Sequence, residues 1–436
     1  MRFRPRPVVI FSLLIILAST YFFFGIFIPG LRPGHVAANR AGGYGFGNDL
    51  YPIWVAGGEL FDHRDPYAAE LTARIETGLY GRPLDRRTAV DAAVNYRAFS
   101  YPVYTIFIFA PIVPLSFPTV QVVLAILLPF IAALTVVLWL RTLDSDLTRT
   151  GTVVAVCLAL ASYPALEGVY SGQPGLISAA IIAGTLALLV TERFVLAGIL
   201  LPWASIKPQL VLLVALWLVL WSLSGWSQRK RFFFSFSTTG LAILAASFWV
   251  TPNWIGGWMH ALREYRQLSP LPLAQFVLGR YLGIVASLGL LLLSLAVCWR
   301  ERRQPPDSEG FTLATTLLLA VTVLTLPSTI AVYDQFLLLP AVLWLYTYRE
   351  RILRGSRALR LLTVITIAAV SWQWIAAGAL VALHWLSPSA TRTPASLLLP
   401  YRTAASVPFA ITALISFLAM QKLRDPGRSI SQPRSA

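Results

Sequence analysis

Apolar runs of about 18 to 25 residues recur along the whole chain, with short polar stretches between them. Backbone in lipid must satisfy its own hydrogen bonds, and a helix does so within one segment. The pattern therefore predicts an all-α polytopic membrane protein of about 10 to 12 spanning helices, one integral membrane domain over residues 1–436. The first span is 8–28, preceded by Arg2, Arg4 and Arg6. It is too long and too aromatic for the core of a signal peptide, so it reads as a retained helix. The longest polar region, 30–100, reads as an external loop carrying short surface helices. The C-terminal part, 232–420, offers spans near 232–250, 272–298, 311–326, 329–347, 359–382 and 396–420, followed by a tail at 421–436.

The central helices, 102–222, admit two readings. In one, 102–116 is a short membrane-dipping helix broken by Pro111 and Pro114, and 194–222 is a hairpin turning at Lys207-Pro208. Proline disfavours helix at the residue before it, which supports that turn. In the other, 102–116 is a full span, 194–222 is one kinked helix, and Gly172-Gln173 faces the cytoplasm.

Only 12% of residues are charged, against about 25% in soluble domains. The net charge of +16 is not a nucleic-acid footprint. About half of the 35 Lys and Arg sit in short clusters: the N-terminal three, Arg229-Lys230-Arg231, Arg300/Arg302/Arg303, Arg349 to Arg360, and Lys422 to Arg434. That is the positive-inside pattern, so both termini are expected in the cytoplasm of a multi-pass plasma-membrane protein. The stretch Arg32 to Arg97 carries equal numbers of acidic and basic residues, as suits an external loop. Cys157 and Cys298 lie in apolar runs and read as small hydrophobes.

Polar groups at membrane depth are costly, so each is a candidate for function. Asp49 follows Gly45, Gly47 and Asn48 and precedes Tyr51 and Trp54, whose faces suit the apolar sides of a sugar. Its structural alternative is a helix cap. Asp65-Pro66-Tyr67 looks like a helix start with Asp65 as cap. Gln173, in a Gly/Pro-interrupted junction beside Glu167, suits a sugar hydroxyl or freed backbone groups. Lys207, alone in an apolar run, suits a phosphate or snorkels to the interface. Asp334, after Pro327-Ser328, needs a partner, which Lys207 or a sugar would supply. Arg263 and Arg266, on a loop with Trp254 and Trp258, form either an interfacial belt or a lipid-phosphate clamp. No metal site is expected; Asp62 and Asp65 pair with local charges more simply than they hold an ion.

Several short pieces recur in an order that resembles glycosyltransferase family 87, of the GT-C superfamily. They are Asn48-Asp49-Leu50 with Trp54, Asp65-Pro66-Tyr67, Tyr101-Pro102, Ala110-Pro111, Ser171-Gly172-Gln173, and Ile206-Lys207-Pro208. Tyr101-Pro102-Val103 lacks the usual second proline, and Tyr333-Asp334 stands where a histidine pattern is expected. The resemblance implies a GT-C-like bundle and, without cofactor or metal, an inverting hexosyltransferase, with mannose the expected sugar. Its partners would be a polyprenyl-phosphate sugar donor, a glycolipid or cell-envelope glycan acceptor, and membrane lipids. On the matching positions Asp49 would be the base at an outward-facing site. Asn48, Tyr51, Trp54, Asp65, Tyr67, Gln173, Lys207, Arg263, Arg266 and Asp334 would bind substrate. A transporter or flippase of lipid-linked sugars is the competing class; no internal repeat favours it.

Overall fold

The computed structural model describes residues 5–30, 45–85, 88, 91, 98–268, 271–326, 331–391, 393–402 and 405–424. Arg2, Arg4, the loop at 31–44, Pro327-Ser328, and the tail from 425 lie outside the described residues, as do the side chains of Arg6 and Arg266. Of the described residues 82% are helical, and none forms a strand. It is an all-α polytopic membrane protein.

Helix α1 (Pro5–Tyr21) continues into a π-helical stretch, Phe22–Phe27. Two short helices follow, α2 (Tyr51–Phe61) and α3 (Ala69–Tyr80). Residues 102–116 hold only α4 (Thr105–Phe109) and a 3₁₀ turn at Ala110–Ile112, where Pro111 and Pro114 stop further winding. Then come α5 (Phe117–Thr142), α6 (Arg149–Leu160), α7 (Tyr163–Ser171) and α8 (Pro174–Val190), with α6 and α7 bent by 60°. Helix α9 (Phe194–Leu200) passes through a 3₁₀ turn, Leu201–Ile206, and α10 (Pro208–Ser224) starts anew after Lys207.

The C-terminal part contains α11 (Trp226–Val250), α12 (Trp254–Leu268), α13 (Leu273–Leu278), α14 (Arg280–Glu301) and α15 (Glu309–Thr325). A 3₁₀ turn at Val332–Leu338 leads into α16 (Leu339–Thr347), then α17 (Arg349–Leu353), α18 (Arg357–Leu386), α19 (Pro394–Arg402) and α20 (Ser406–Arg424). Among the described residues, six helices are long and apolar enough to cross a membrane, or seven counting the bent α6–α7 pair. Five more apolar helices are shorter, at 10–17 residues.

One of the short ones is the hub. Every residue of α15 from Gly310 to Thr325 is buried. A helix apolar on all sides belongs in a core. Thr315, Thr316 and Thr325 return their hydroxyls to carbonyls one turn back, so their polar atoms cost little at depth. Trp217 of α10 and Trp344 of α16 donate to the Thr315 and Thr312 hydroxyls, both at 3.2 Å. The sequence marked 311–326 as one member of an ordinary pair of spans; its central place follows from burial on every face.

The Arg229 and Arg300–Arg303 clusters meet at one end of the bundle, beside the end of α20. Arg229 is not a loop charge, as its cluster suggested. It lies in the first turns of α11, is buried, and donates to the carbonyls of Trp221, Arg302, Arg303 and Gln304 at 2.9–3.0 Å. Its guanidinium also sits 4.1 Å from the Trp221 ring centroid. Arg300 reaches the Leu423 carbonyl at 2.9 Å. Lys207 stands at the other end of α10; its 17 residues place the two ends about 25 Å apart.

Arg229→Lys is expected to destabilise the protein by about 2 kcal/mol, since one ammonium cannot serve four diverging carbonyls. Thermal melting followed by size exclusion reads the loss, while the folded fraction keeps its activity because the site is remote.

Candidate functional site

The site begins with two glycines in left-handed backbone. Gly47 has φ 79° and Gly172 φ 69°. A Cβ on Gly172 would lie 2.9 Å from the Gly47 Cα, so only glycine permits this approach. The contact lets Gly47 N donate to Tyr170 O at 2.7 Å and Asp49 N to Ser171 O at 2.9 Å. The 45–50 turn is thereby stitched to the end of α7. Helix α2 starts at Tyr51 with Leu50 at its cap position and no side-chain cap, so Asp49 does not cap it. Its carboxylate accepts instead from the Gln173 amide.

Gln173 and Lys207 share one piece of local chemistry: each immediately precedes the proline that opens a helix. Proline forces its predecessor away from helical backbone and is itself at home in a first turn. Gln173 accordingly sits at φ −75°, ψ 121° and Lys207 at φ −118°, ψ 90°. The two side chains leave from the N-termini of α8 and α10, where unpaired backbone N–H groups favour negative charge.

These residues form one connected polar chain. Lys207 Nζ donates to Gln173 Oε1 at 2.9 Å and to Asp334 Oδ1 at 2.9 Å, and lies 4.4 Å from the Tyr333 ring centroid. Gln173, Lys207 and Asp334 are 1%, 6% and 2% exposed, while Asp49 is half-buried. Gly175 leaves the room for the ion pair: a Cβ there would meet Asp334 Oδ1 at 2.6 Å. Four candidates far apart in sequence thus come together. Asn48 is buried beside Asp49.

Tyr333, noted in the sequence only with Asp334 and given no role of its own, joins them, with Asp49, Asp334, Tyr265 and Tyr101 within electrostatic reach of its phenol. Its place directly before Asp334 was the available signal. Tyr265, two residues after Arg263 on α12, carried none.

Other candidates take supporting positions. Tyr51 and Trp54 pack with Phe117, and the Trp54 indole donates to Leu115 O at 3.1 Å. Asp65 is not the expected cap, because α3 starts only at Ala69. It accepts from Tyr67 N at 2.9 Å in a local turn. Tyr67 donates its hydroxyl to Tyr101 O at 2.8 Å and packs on Phe99. Burial, with Tyr104 and Asp65 nearby, pushes this phenol up, so it stays a neutral donor. Arg263 is exposed on α12. Glu59, unsuspected from the sequence, is buried between Arg64 and Arg74 and fixes the fold of the loop.

A largely apolar cavity of about 850 Å³ is lined by residues that include Gln335, Ser162, Tyr163, Asp146, Thr148 and Arg349. Asp49, Gln173, Lys207 and Asp334 do not line it; Gln335, which does, directly follows Asp334 in the chain.

The sequence pattern of glycosyltransferase family 87 matches residues 99–327, just over half of the chain. The chain belongs to glycosyltransferase family 87. Searches of curated proteins and of solved structures give no match. The family match contains Gln173 and Lys207; Asp49 precedes it and Asp334 follows it. A family-87 membrane glycosyltransferase needs a donor, an acceptor and a group to take the acceptor's proton. The polar chain offers a carboxylate and an ammonium at one end of the bundle.

Gly172→Ala is expected to pull the 45–50 turn off α7. The variant should insert into membranes but lose about tenfold or more of its transferase activity, with a lower melting temperature.

Proposed function

We propose that this family-87 enzyme moves a sugar, mannose in the first instance, from a polyprenyl-phosphate donor to a glycolipid or cell-envelope glycan at the outer face of the plasma membrane. The observation that carries the reading is the connected set Asp49, Gln173, Lys207 and Asp334; Gln335, next to it in sequence, lines an apolar cavity.

A lipid phosphate donor has an anionic head and an apolar tail. Lys207 and the N-termini of α8 and α10 suit the head. The cavity suits isoprenoid, with Gln335 at its polar end. Asp49 is the one carboxylate of the set that is half-open, and the aromatic turn around it suits an acceptor sugar. The acceptor oxygen attacks the anomeric carbon from the face opposite the phosphate. Asp49 takes the hydroxyl proton as the new C–O bond forms. The old C–O bond breaks and its electron pair leaves on the phosphate, whose charge Lys207 stabilises. One displacement inverts the anomeric centre. Arg263 and Arg266, on the amphipathic α12, are placed in sequence to meet the phosphate of the donor or neighbouring lipids.

Orientation follows from charge. The Arg229 and Arg300–Arg303 clusters gather at the end remote from Lys207, and positive-inside bias puts that end in the cytoplasm. Both termini are then cytoplasmic and the polar chain faces outward. A flippase would use the same cavity without chemistry, and the test separates the two.

The purified protein, given radiolabelled polyprenyl-phosphate-mannose and a membrane lipid extract, should transfer label to lipid acceptors. Asp49→Asn should lower the rate by about 10² to 10⁴ with folding intact. Equal transfer by both proteins removes Asp49 as base. No transfer by either, across several lipid-linked sugars, favours the flippase.

A further inference from the structure

We infer that Gln173 is a positioning residue that holds Asp49 ready as a base, rather than a group that binds the sugar. The inference rests on the reading of Asp49 as base.

The direction of the amide is fixed by its neighbours. Lys207 has only donors to offer, so the atom facing it at 2.9 Å must be the Gln173 carbonyl oxygen. The amide nitrogen then necessarily points at Asp49. A carboxylate that receives an N–H is satisfied as the anion; a protonated carboxyl turning its O–H that way is not. Lys207 is itself oriented by Asp334 at 2.9 Å and by the Tyr333 ring. The chain therefore has one polarity: carboxylate, ammonium, carbonyl, amide N–H, carboxylate. The Lys207 charge polarises the amide and strengthens its N–H as a donor.

Burial completes the case. Gln173 is 1% exposed and both ends of its amide are engaged within the protein. Its burial leaves almost no surface to turn toward a sugar. Among the described residues, the charged and titratable groups within electrostatic reach of Asp49 include Tyr333 and Asp334 on the 3₁₀ turn, with Lys207 joined to it through the amide. Tyr101 and Tyr265 are within electrostatic reach of Tyr333, and Ser171 Oγ donates to Glu167 at 3.2 Å.

The test is the pH profile of kcat/KM for Gln173→Met and Gln173→Glu, each first checked by size exclusion and thermal melting. The base must be ionised, so activity falls as pH drops through its titration. Methionine removes the N–H of the amide at similar size. The acid limb should move up by about one pH unit, with kcat reduced more than KM is changed. Glutamate keeps an oxygen for Lys207 but sets a second carboxylate against Asp49. It preserves the packing if methionine does not, and should move the limb further in the same direction, as like charges share a proton.

Unmoved acid limbs with a raised acceptor KM would overturn the inference in favour of sugar binding. Unmoved limbs with only a lower melting temperature would overturn it in favour of a purely structural role. Asp49→Asn keeps the two failures apart. If that variant still transfers sugar, the base assignment falls. If it is inactive while the Gln173 profiles stay unmoved, only the present inference falls.

Discussion

A lysine buried among apolar helices is the constraint on which the rest of this structure turns. Lys207 is 6% exposed, and an unpaired ammonium there would cost several kcal/mol. It is tolerated because Asp334 and Gln173 both meet it at 2.9 Å and the Tyr333 ring lies alongside. Lys207 and those partners come from three separate parts of the chain. Satisfying one charge therefore fixes the relation of α8, α10 and the 3₁₀ turn at Val332–Leu338. Gln173 extends the arrangement to Asp49, and the Gly47–Gly172 contact holds the loop in place for it. Such a pair does little for net stability, and a hydrophobic replacement would serve packing as well. Its retention fits a site that must present charge.

Much of this was legible in the sequence because the informative residues obey local rules. Asp49, Gln173, Lys207 and Asp334 stand out as polar residues near the ends of apolar runs, and proline after Gln173 and Lys207 signals where helices restart. The break at Lys207-Pro208 appears in the fold as two helices, and Gln173 lies on the same side as Asp49. The Phe194 and Trp221 ring centroids lie 6.2 Å apart, a contact that a hairpin over 194–222 allows and a single kinked helix does not.

What stayed hidden depends on contacts between distant segments. Nothing local distinguishes α15 from its neighbours, yet among the described residues it is buried along its whole apolar length. Arg229 reads as one charge in a cytoplasmic cluster and is instead a clamp on four carbonyls. Asp65 has the spacing of a helix cap, but tertiary packing of Tyr67 against Phe99 and Gly257 delays the helix to Ala69. Glu59 pairs with Arg64 and Arg74 through the loop's own folding. The cavity beside Gln335 is a product of the bundle as a whole.

The central claim is that the polar chain is where a lipid phosphate is held for sugar transfer. The most direct measurement is the structure of the protein in lipid nanodiscs with bound polyprenyl monophosphate, the product of the proposed reaction. The expected result is a phosphate oxygen within hydrogen-bond range of Lys207 Nζ and isoprenoid density in the cavity past Gln335. A phosphate bound elsewhere, with the Lys207–Asp334 pair undisturbed and the cavity empty of tail, would contradict it.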